Sequence, residues 1–349
     1  MLARMEPVMG IGLSLLLLSM WGCSSQSELS LSQQGQPVEV TMDIHPHKEI
    51  VVISAPGEGG CDLYLVDLKT QHVERLTRTS DLDEREPRFS PDGSLIVYSA
   101  GQILADGQSK WQLYLLSLGD MKTTSLTSDS NVADTKPYFS PDGKTVLFHR
   151  STEQRPTSLG GWAWYGSTVY CLDLETRRAQ PTWAARVQSY GFSPMGEVSV
   201  AYALSGQGAR AKLGYAVVPV GTLTEQRTRA LSAANSQLTN FVNTRATNLL
   251  WLPDGSIVFT DVDPHGSPYL GEIWVADSVG ASPKQLTHLQ SALSCLRASP
   301  DGKNIYFLSG VEGNQSLWKV EVSSGKAAEV LSADFLRSLD KRAVSRNAK

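Results

Sequence analysis

The chain has 349 residues, 41% hydrophobic and 19% charged, with 31 basic and 35 acidic side chains giving a formal net charge of −4. This is the composition of a folded globular protein, and it excludes disorder along the whole length. The slight acidity also excludes nucleic acid as a partner, because such binding rests on a basic surface that neutralises phosphates.

Arg4 precedes an apolar run from Val8 to Trp21. The run is shorter than the roughly 20 residues a helix needs to cross a bilayer, so it reads as a secretory signal peptide. It ends in Ser19-Met20-Trp21-Gly22-Cys23-Ser24-Ser25, and a small residue followed by Cys after such a core resembles the lipobox of bacterial lipoproteins. The resemblance implies cleavage after residue 22 and acylation of Cys23. Several acyl chains, at about 0.8 kcal/mol per buried methylene, hold a protein stably to a membrane. Residues 23–37 then comprise the lipidated Cys and a flexible polar tether. The other cysteines, Cys61, Cys171 and Cys295, are odd in number and form no Cys-x-x-Cys pair. Buried free thiols are therefore expected, with neither a disulfide framework nor a structural zinc site.

From residue 38 onward the sequence repeats itself. Phe89-Ser90-Pro91-Asp92-Gly93 leads into Ser94-Leu95-Ile96-Val97-Tyr98, and Phe139-Ser140-Pro141-Asp142-Gly143 leads into Lys144-Thr145-Val146-Leu147-Phe148. Further copies are Phe192-Ser193-Pro194-Met195-Gly196, Trp251-Leu252-Pro253-Asp254-Gly255 and Ala298-Ser299-Pro300-Asp301-Gly302, with a degenerate first copy at Ile44-His45-Pro46-His47-Lys48. Each unit continues with a strand such as Leu63-Tyr64-Leu65-Val66-Asp67, and several close on Leu-Thr, as at Leu76-Thr77, Leu126-Thr127 and Leu286-Thr287. Four short strands per unit, β-branched and aromatic, with turn residues between them, predict an all-β fold: a six-bladed β-propeller of four-stranded antiparallel blades. Pro presets the turn's φ, Asp favours the next position and Gly accepts the conformation that follows, so the motif is read as a turn and carries no chemistry.

The repeat resembles that of the TolB-like family of bacterial propellers: aromatic-Ser-Pro-Asp-Gly, then an apolar strand, with an acidic residue and Pro ahead of it. Glu84-Arg85-Glu86-Pro87 and Asp134-Thr135-Lys136-Pro137 supply that prefix. The likeness covers residues 38–332. The sialidase Asp-box, which separates Asp from Gly by one residue, and Trp-Asp repeats are both absent from the sequence. One superfold hosts many activities, so function is sought in sites.

Strand alternation places the loops between second and third strands at the end opposite the Pro-Asp-Gly turns, and loops on a rigid scaffold are where function concentrates. Trp162, Trp164 and Tyr165 lie in one such loop and are expected to be exposed, suited to stacking on a sugar or a partner. Glu84, Arg85, Asp134 and Gln188, just before the repeat prolines, are expected to line the channel mouth as a polar rim. The six histidines show no close pair except His45 and His47. His149 and His265 are the pair to inspect for a divalent ion, because some propeller lyases acting on oligogalacturonate hold Mn²⁺ through histidines. No Gly-x-Ser-x-Gly elbow is present, which argues against a serine hydrolase. Residues 333–349 read as a frayed basic tail.

The sequence therefore predicts a lipid-anchored envelope protein facing the periplasm, without cofactor or catalysis, that binds a protein or glycan through its loop-rich end. The alternative is a metal-dependent polysaccharide lyase-like enzyme using channel histidines.

Overall fold

The computed structural model describes residues 40–57, 59–104, 108–156, 162–165, 167–183, 187–192, 198–205, 212–218, 247–262, 270–277 and 283–343. The repeat units fold as successive up-and-down antiparallel sheets. The first comprises β1 (Thr41–Ile44), β2 (Ile50–Pro56), β3 (Cys61–Asp67) and β4 (Val73–Arg75). The second comprises β5 (Asp83–Phe89), β6 (Leu95–Ile103), β7 (Ser109–Ser117) and β8 (Thr123–Ser125). A single parallel bridge, Trp111 to Ala133, joins it to the third.

That third sheet is β9 (Ala133–Phe139), β10 (Thr145–Ser151), β13 (Thr168–Asp173) and β14 (Ala179–Trp183), with a separate hairpin, β11 (Glu153–Pro156) and β12 (Trp162–Tyr165), inserted between β10 and β13. Then come β15 (Val187–Phe192), β16 (Val198–Ser205) and β17 (Lys212–Val218), followed by β18 (Thr247–Trp251), β19 (Ile257–Val262), β20 (Gly271–Ala276) and β21 (Lys284–Gln285). The last sheet is β22 (Leu293–Ala298), β23 (Asn304–Ser309), β24 (Ser316–Glu321) and β25 (Ala327–Leu331). No helix among the described residues is long and apolar enough to cross a membrane.

The Pro-Asp-Gly turns join first strands to second strands, and the serine does more than the motif suggested. Ser90 Oγ donates to Asp92 Oδ1 at 2.5 Å while accepting the Leu95 N–H at 2.9 Å, and Ser140 and Ser299 repeat the arrangement. The Ser90 hydroxyl, with the Ser94 N–H and hydroxyl, draws the Asp92 carboxyl down to about 2. Gly93 sits at φ 73°, and a Cβ there would meet the His45 ring at 2.5 Å, so both backbone angle and close approach require glycine. The closing Leu-Thr pairs also have a cause. Thr77, Thr127 and Thr287 hydroxyls accept the backbone N–H groups of Leu63, Leu113 and Ile273.

The second strands are buried on both faces, which is why they read as continuous apolar runs. Val52 packs with Leu63, Leu76, Phe89, Ile96, Tyr98 and Leu116 between the first two sheets, and Val51 and Ile53 face the last sheet with Tyr306, Leu308, Leu317 and Leu331. First and last sheets thus share a core. The Val40 N–H donates to Gln315 Oε1 at 2.9 Å across the same seam.

The C-terminal segment departs from the frayed tail expected of it. Ala333–Arg337 (α1) and Leu339–Arg342 (α2) are helical, with the Ser332 hydroxyl accepting the Phe335 N–H at 3.2 Å. Phe335, Leu336 and Leu339 are buried in the seam core, and Arg75 of β4 pairs with Asp340 at 2.8 Å. Residues 344–349 lie outside the described residues.

Candidate functional site

The first strand of each unit carries the end of the motif into one cavity of about 400 Å³, to which every unit contributes. Asp43 and Pro46, Arg88 and Phe89, Tyr138 and Phe139, Phe192, Trp251 and Pro253, and Ala298 and Pro300 come from equivalent positions of successive units. Only a place where all the first strands converge is bounded in this way, so the cavity is axial and opens among the Pro-Asp-Gly turns. The loop-rich end favoured from the sequence is the opposite one.

The charges of this layer occupy the third position before each repeat proline. Asp43 Oδ1 lies 2.7 Å from Arg297 Nε and 3.5 Å from Arg88 Nη1, and its Oδ2 accepts the Phe89 N–H at 2.9 Å. Burial pushes the Asp43 carboxyl up to about 6, against the pull of Arg88 and of the Phe89 N–H. The Arg88 guanidinium rests 5.3 Å above the Tyr138 ring, in cation–π geometry.

A repeated bulge puts these residues on the axis. Glu86, Lys136 and Cys295 have φ of 56°, 55° and 53°, where non-glycine residues are strained by about 1–2 kcal/mol. At each the pairing with the second strand slips by one residue, which reverses the side-chain parity on either side. Contacts between units offset the strain: the Glu86 N–H donates to Thr41 Oγ1 at 2.9 Å, and the Lys136 N–H to Glu86 Oε2 at 2.6 Å.

The bulge corrects the expected polar rim. Glu84 is 1% exposed, Arg85 7% and Asp134 0%, and all three have partners inside the protein. Glu84 accepts hydrogen bonds from the hydroxyls of Thr77 and Thr79. Burial, with the Asp62 charge adding to it, pushes its carboxyl up to about 8. Arg85 forks onto Asp83, and Arg150 onto Asp134 at 2.7 and 2.8 Å. Gln188 lies on β15, with its side chain outside the described residues.

The aromatic cluster also differs from expectation at its centre. Trp164 is 5% exposed; it packs on Trp111 and Ala133 and donates its indole N–H to Ser109 Oγ at 3.1 Å. The hairpin is thereby docked against the second unit. Trp162 pairs with Pro156 and Tyr165 with Glu153 along the hairpin backbone, their side chains being outside the described residues, as is the whole of Cys23.

His149 is buried on β10, its Nδ1 without a hydrogen-bond partner, and the Tyr190 ring is 4.8 Å away. Burial, with the Lys136 charge adding to it, pushes the imidazole down to about 3. His265 lies outside the described residues. Among the described residues no three His, Cys, Asp or Glu side chains are grouped to hold a metal ion, so the described set does not fit a histidine-held Mn²⁺.

The cavity residues that sequence reasoning missed are Asp43, Arg88 and Tyr138, with Arg297 paired to Asp43 beside them. Their signal was present: aligned on the repeat proline, the third residue before it is a charge or a ring in four copies. The bulge between them and the acidic-Pro prefix concealed which side of the strand faces inward.

The architecture and its cavity are those of a β-propeller. No family model matches the chain, and no curated protein matches it. Among solved structures it is similar to TolB from Acinetobacter baumannii, at 16% identity and TM-score 0.58, over 84% of this chain and 63% of that one. The chain thus spans less than two thirds of the TolB chain. It is also similar to an oligogalacturonate lyase in complex with manganese, at 15% identity and TM-score 0.55, over 86% of this chain and 80% of the other. A third likeness is to the β-propeller domain of the Trilobed protease from Pyrococcus furiosus, at 12% identity and TM-score 0.51, over 84% and 85%. At these identities the likeness is one of fold.

Proposed function

We propose that this chain is a non-catalytic, six-bladed propeller lipoprotein of the bacterial envelope, acylated at Cys23 and facing the periplasm, that receives part of a protein or glycan partner in its axial cavity. The observation that carries the reading is the cavity itself: an aromatic or proline wall from every unit, with one cluster of fixed charges. About 400 Å³ lies within the range of small-ligand sites and suits one or two inserted side chains or a sugar ring. Six repeat copies and the shared core of first and last sheets support a ring of six. Among the described residues no strand is exchanged between the first and last sheets, and the Pyrococcus propeller is described as having an open velcro topology.

The test is capture from envelope extract on immobilised protein. Tyr138→Ala in the cavity is expected to lose a partner that the wild type retains. A hairpin variant, Trp162→Phe with Tyr165→Phe, is expected to retain it. The opposite pattern would return the site to the loop-rich end, where Trp162, Tyr165 and Gln188 remain candidate contacts.

The lyase alternative draws on the likeness to the manganese-bound enzyme. It requires His265 and a carboxylate to reach the buried His149. Calorimetric titration with Mn²⁺ checks it: saturable binding lost in His149→Gln would favour the enzyme.

A further inference from the structure

We infer that the axial cavity takes a carboxylate borne on an apolar or aromatic body, with Arg88 as its counter-ion; this rests on the axial-cavity reading above and names the ligand chemistry.

Two guanidinium groups, Arg88 and Arg297, face a single carboxylate, Asp43. The layer carries one positive charge in excess, and burying an unbalanced charge is costly. One layer along, the Glu86 carboxylate is taken up by the Lys136 N–H and the Ser99 hydroxyl, and the Lys136 side chain adds a positive charge that acts on His149. The aspartates of the neighbouring turns are engaged by their own serines: Asp92 by Ser90 and Asp142 by Ser140.

Donors also outnumber acceptors. Asp43 Oδ2 is taken by the Phe89 N–H, and Oδ1 is shared between the two cations. Arg88 Nη1 and Arg297 Nε are buried without a hydrogen bond of proper geometry. Arg297 directs Nη1 to the Leu296 carbonyl at 2.6 Å, whereas Arg88 reaches a carbonyl only through Nε, at 3.4 Å from Pro137 O. Arg88 also lines the cavity, with its side chain 19% exposed. A guanidinium fork with spare donors beside aromatic walls fits a planar carboxylate attached to an apolar group. A monoanion matches the single excess charge; a phosphate dianion exceeds it.

The group could arrive on a free small acid or on an acidic side chain or C-terminus of a protein partner, and the experiment separates the two. The full-length protein is titrated calorimetrically with N-acetylphenylalanine, with its uncharged amide and with phenyl phosphate. The acid is expected to bind about tenfold tighter than the amide, the size of a charge-assisted hydrogen bond, and tighter than the phosphate. Arg88→Gln should abolish the preference for acid over amide. Asp43→Asn, which removes the internal competitor, should tighten the acid several-fold, a gain that misfolding cannot produce. If N-acetylphenylalanine also releases the captured partner, the carboxylate belongs to that partner; binding without release points to a free acid.

Equal binding of acid and amide, no saturable binding at millimolar probe, a preference unchanged in Arg88→Gln, or tighter phosphate would each overturn the proposal. The broader reading fails separately, when capture survives Tyr138→Ala. Capture lost in Tyr138→Ala with acid and amide bound equally would leave that reading standing and remove the carboxylate.

Discussion

Asp43 of the first sheet and Arg297 of the last stand 2.7 Å apart, Oδ1 to Nε, across the line where the two ends of the repeat array meet. The same carboxylate reaches Arg88 on the second sheet, so three units are tied by one side chain close to the axis. Breaking a largely buried ion pair by removing one partner leaves the other charge uncompensated. Asp43→Ala is therefore expected to destabilise the protein by about 2–4 kcal/mol, read as a lowered urea midpoint with unchanged slope. A loss below about 0.5 kcal/mol would show that the seam stands on apolar packing alone.

The two C-terminal helices supply much of that packing. Phe335, Leu336 and Leu339 fill the core between first and last sheets, and a buried Phe truncated to Ala costs about 3–5 kcal/mol. Phe335→Ala should lower the melting temperature by several degrees, and deletion of residues 333–349 should prevent cooperative folding. Asp340→Ala is expected to cost under about 1 kcal/mol, because its pair with Arg75 is half open to solvent. Thermal melts of the three variants rank them; a deletion as mild as Asp340→Ala would mean that these helices do not hold the seam.

Two turn glycines separate backbone strain from crowding. Gly93 and Gly255 both have φ in the left-handed region, at 73° and 88°, so alanine costs each about 1–2 kcal/mol in backbone strain. A Cβ at Gly255 meets nothing within 4 Å, whereas at Gly93 it meets the His45 imidazole at 2.5 Å. Gly93→Ala should therefore be the more destabilising, by a further 1 kcal/mol or so for overpacking. Equal losses would show that His45 moves aside freely.

What could be read from the sequence was what local chemistry decides. A turn built from Ser, Pro, Asp and Gly closes its own hydrogen bonds, so each copy declares itself without its neighbours. The second strands declare themselves too, as apolar runs buried on both faces. The bulges at Glu86 and Lys136 did not, because the acceptor for each bulged N–H is supplied by the preceding unit, 45 and 50 residues away. Missing that slip put Glu84, Arg85 and Asp134 on the axis and left Arg88 and Tyr138 unread. Trp164 was misplaced for the same reason: its partner, Ser109, belongs to another unit. Phe335 and Leu336 on α1 and Leu339 on α2 are apolar positions whose complement lies at the far end of the chain.

The docked hairpin gives a prediction of its own. Trp164→Ala removes a ring packed on Trp111 and Ala133 and should cost about 3–5 kcal/mol. Trp164→Phe keeps most of the packing and forfeits the bond to Ser109, at about 1 kcal/mol. Amide exchange resolved along the chain should show faster exchange in β11 and β12 for the alanine variant while β9 and β10 stay protected. Uniformly faster exchange would mean that the ring supports the whole third sheet.

Two buried groups pull the pH dependence of stability in opposite directions. Glu84 is raised from its ordinary 4.5 to about 8, so between those values the folded protein keeps a proton that the unfolded chain has released. Its contribution is complete below about 4.5 and is lost as pH rises through about 8. His149 is lowered from 6.5 to about 3, so the folded protein refuses a proton that the unfolded chain accepts. Its contribution is complete above about 6.5 and is lost as pH falls toward 3. Shifts of this size in buried groups correspond to a few kcal/mol each, and the two slopes oppose each other between about pH 4.5 and 6.5. Glu84→Gln should remove the alkaline slope alone: its urea midpoint, relative to wild type, should rise between about pH 5 and pH 8.5. The His149 ring resonances should hold their shifts from about pH 8 down to pH 4.5. A midpoint difference that stays flat would place the Glu84 carboxyl near its ordinary value. Histidine signals titrating near 6.5 would mean that water or a cation reaches the unpartnered Nδ1.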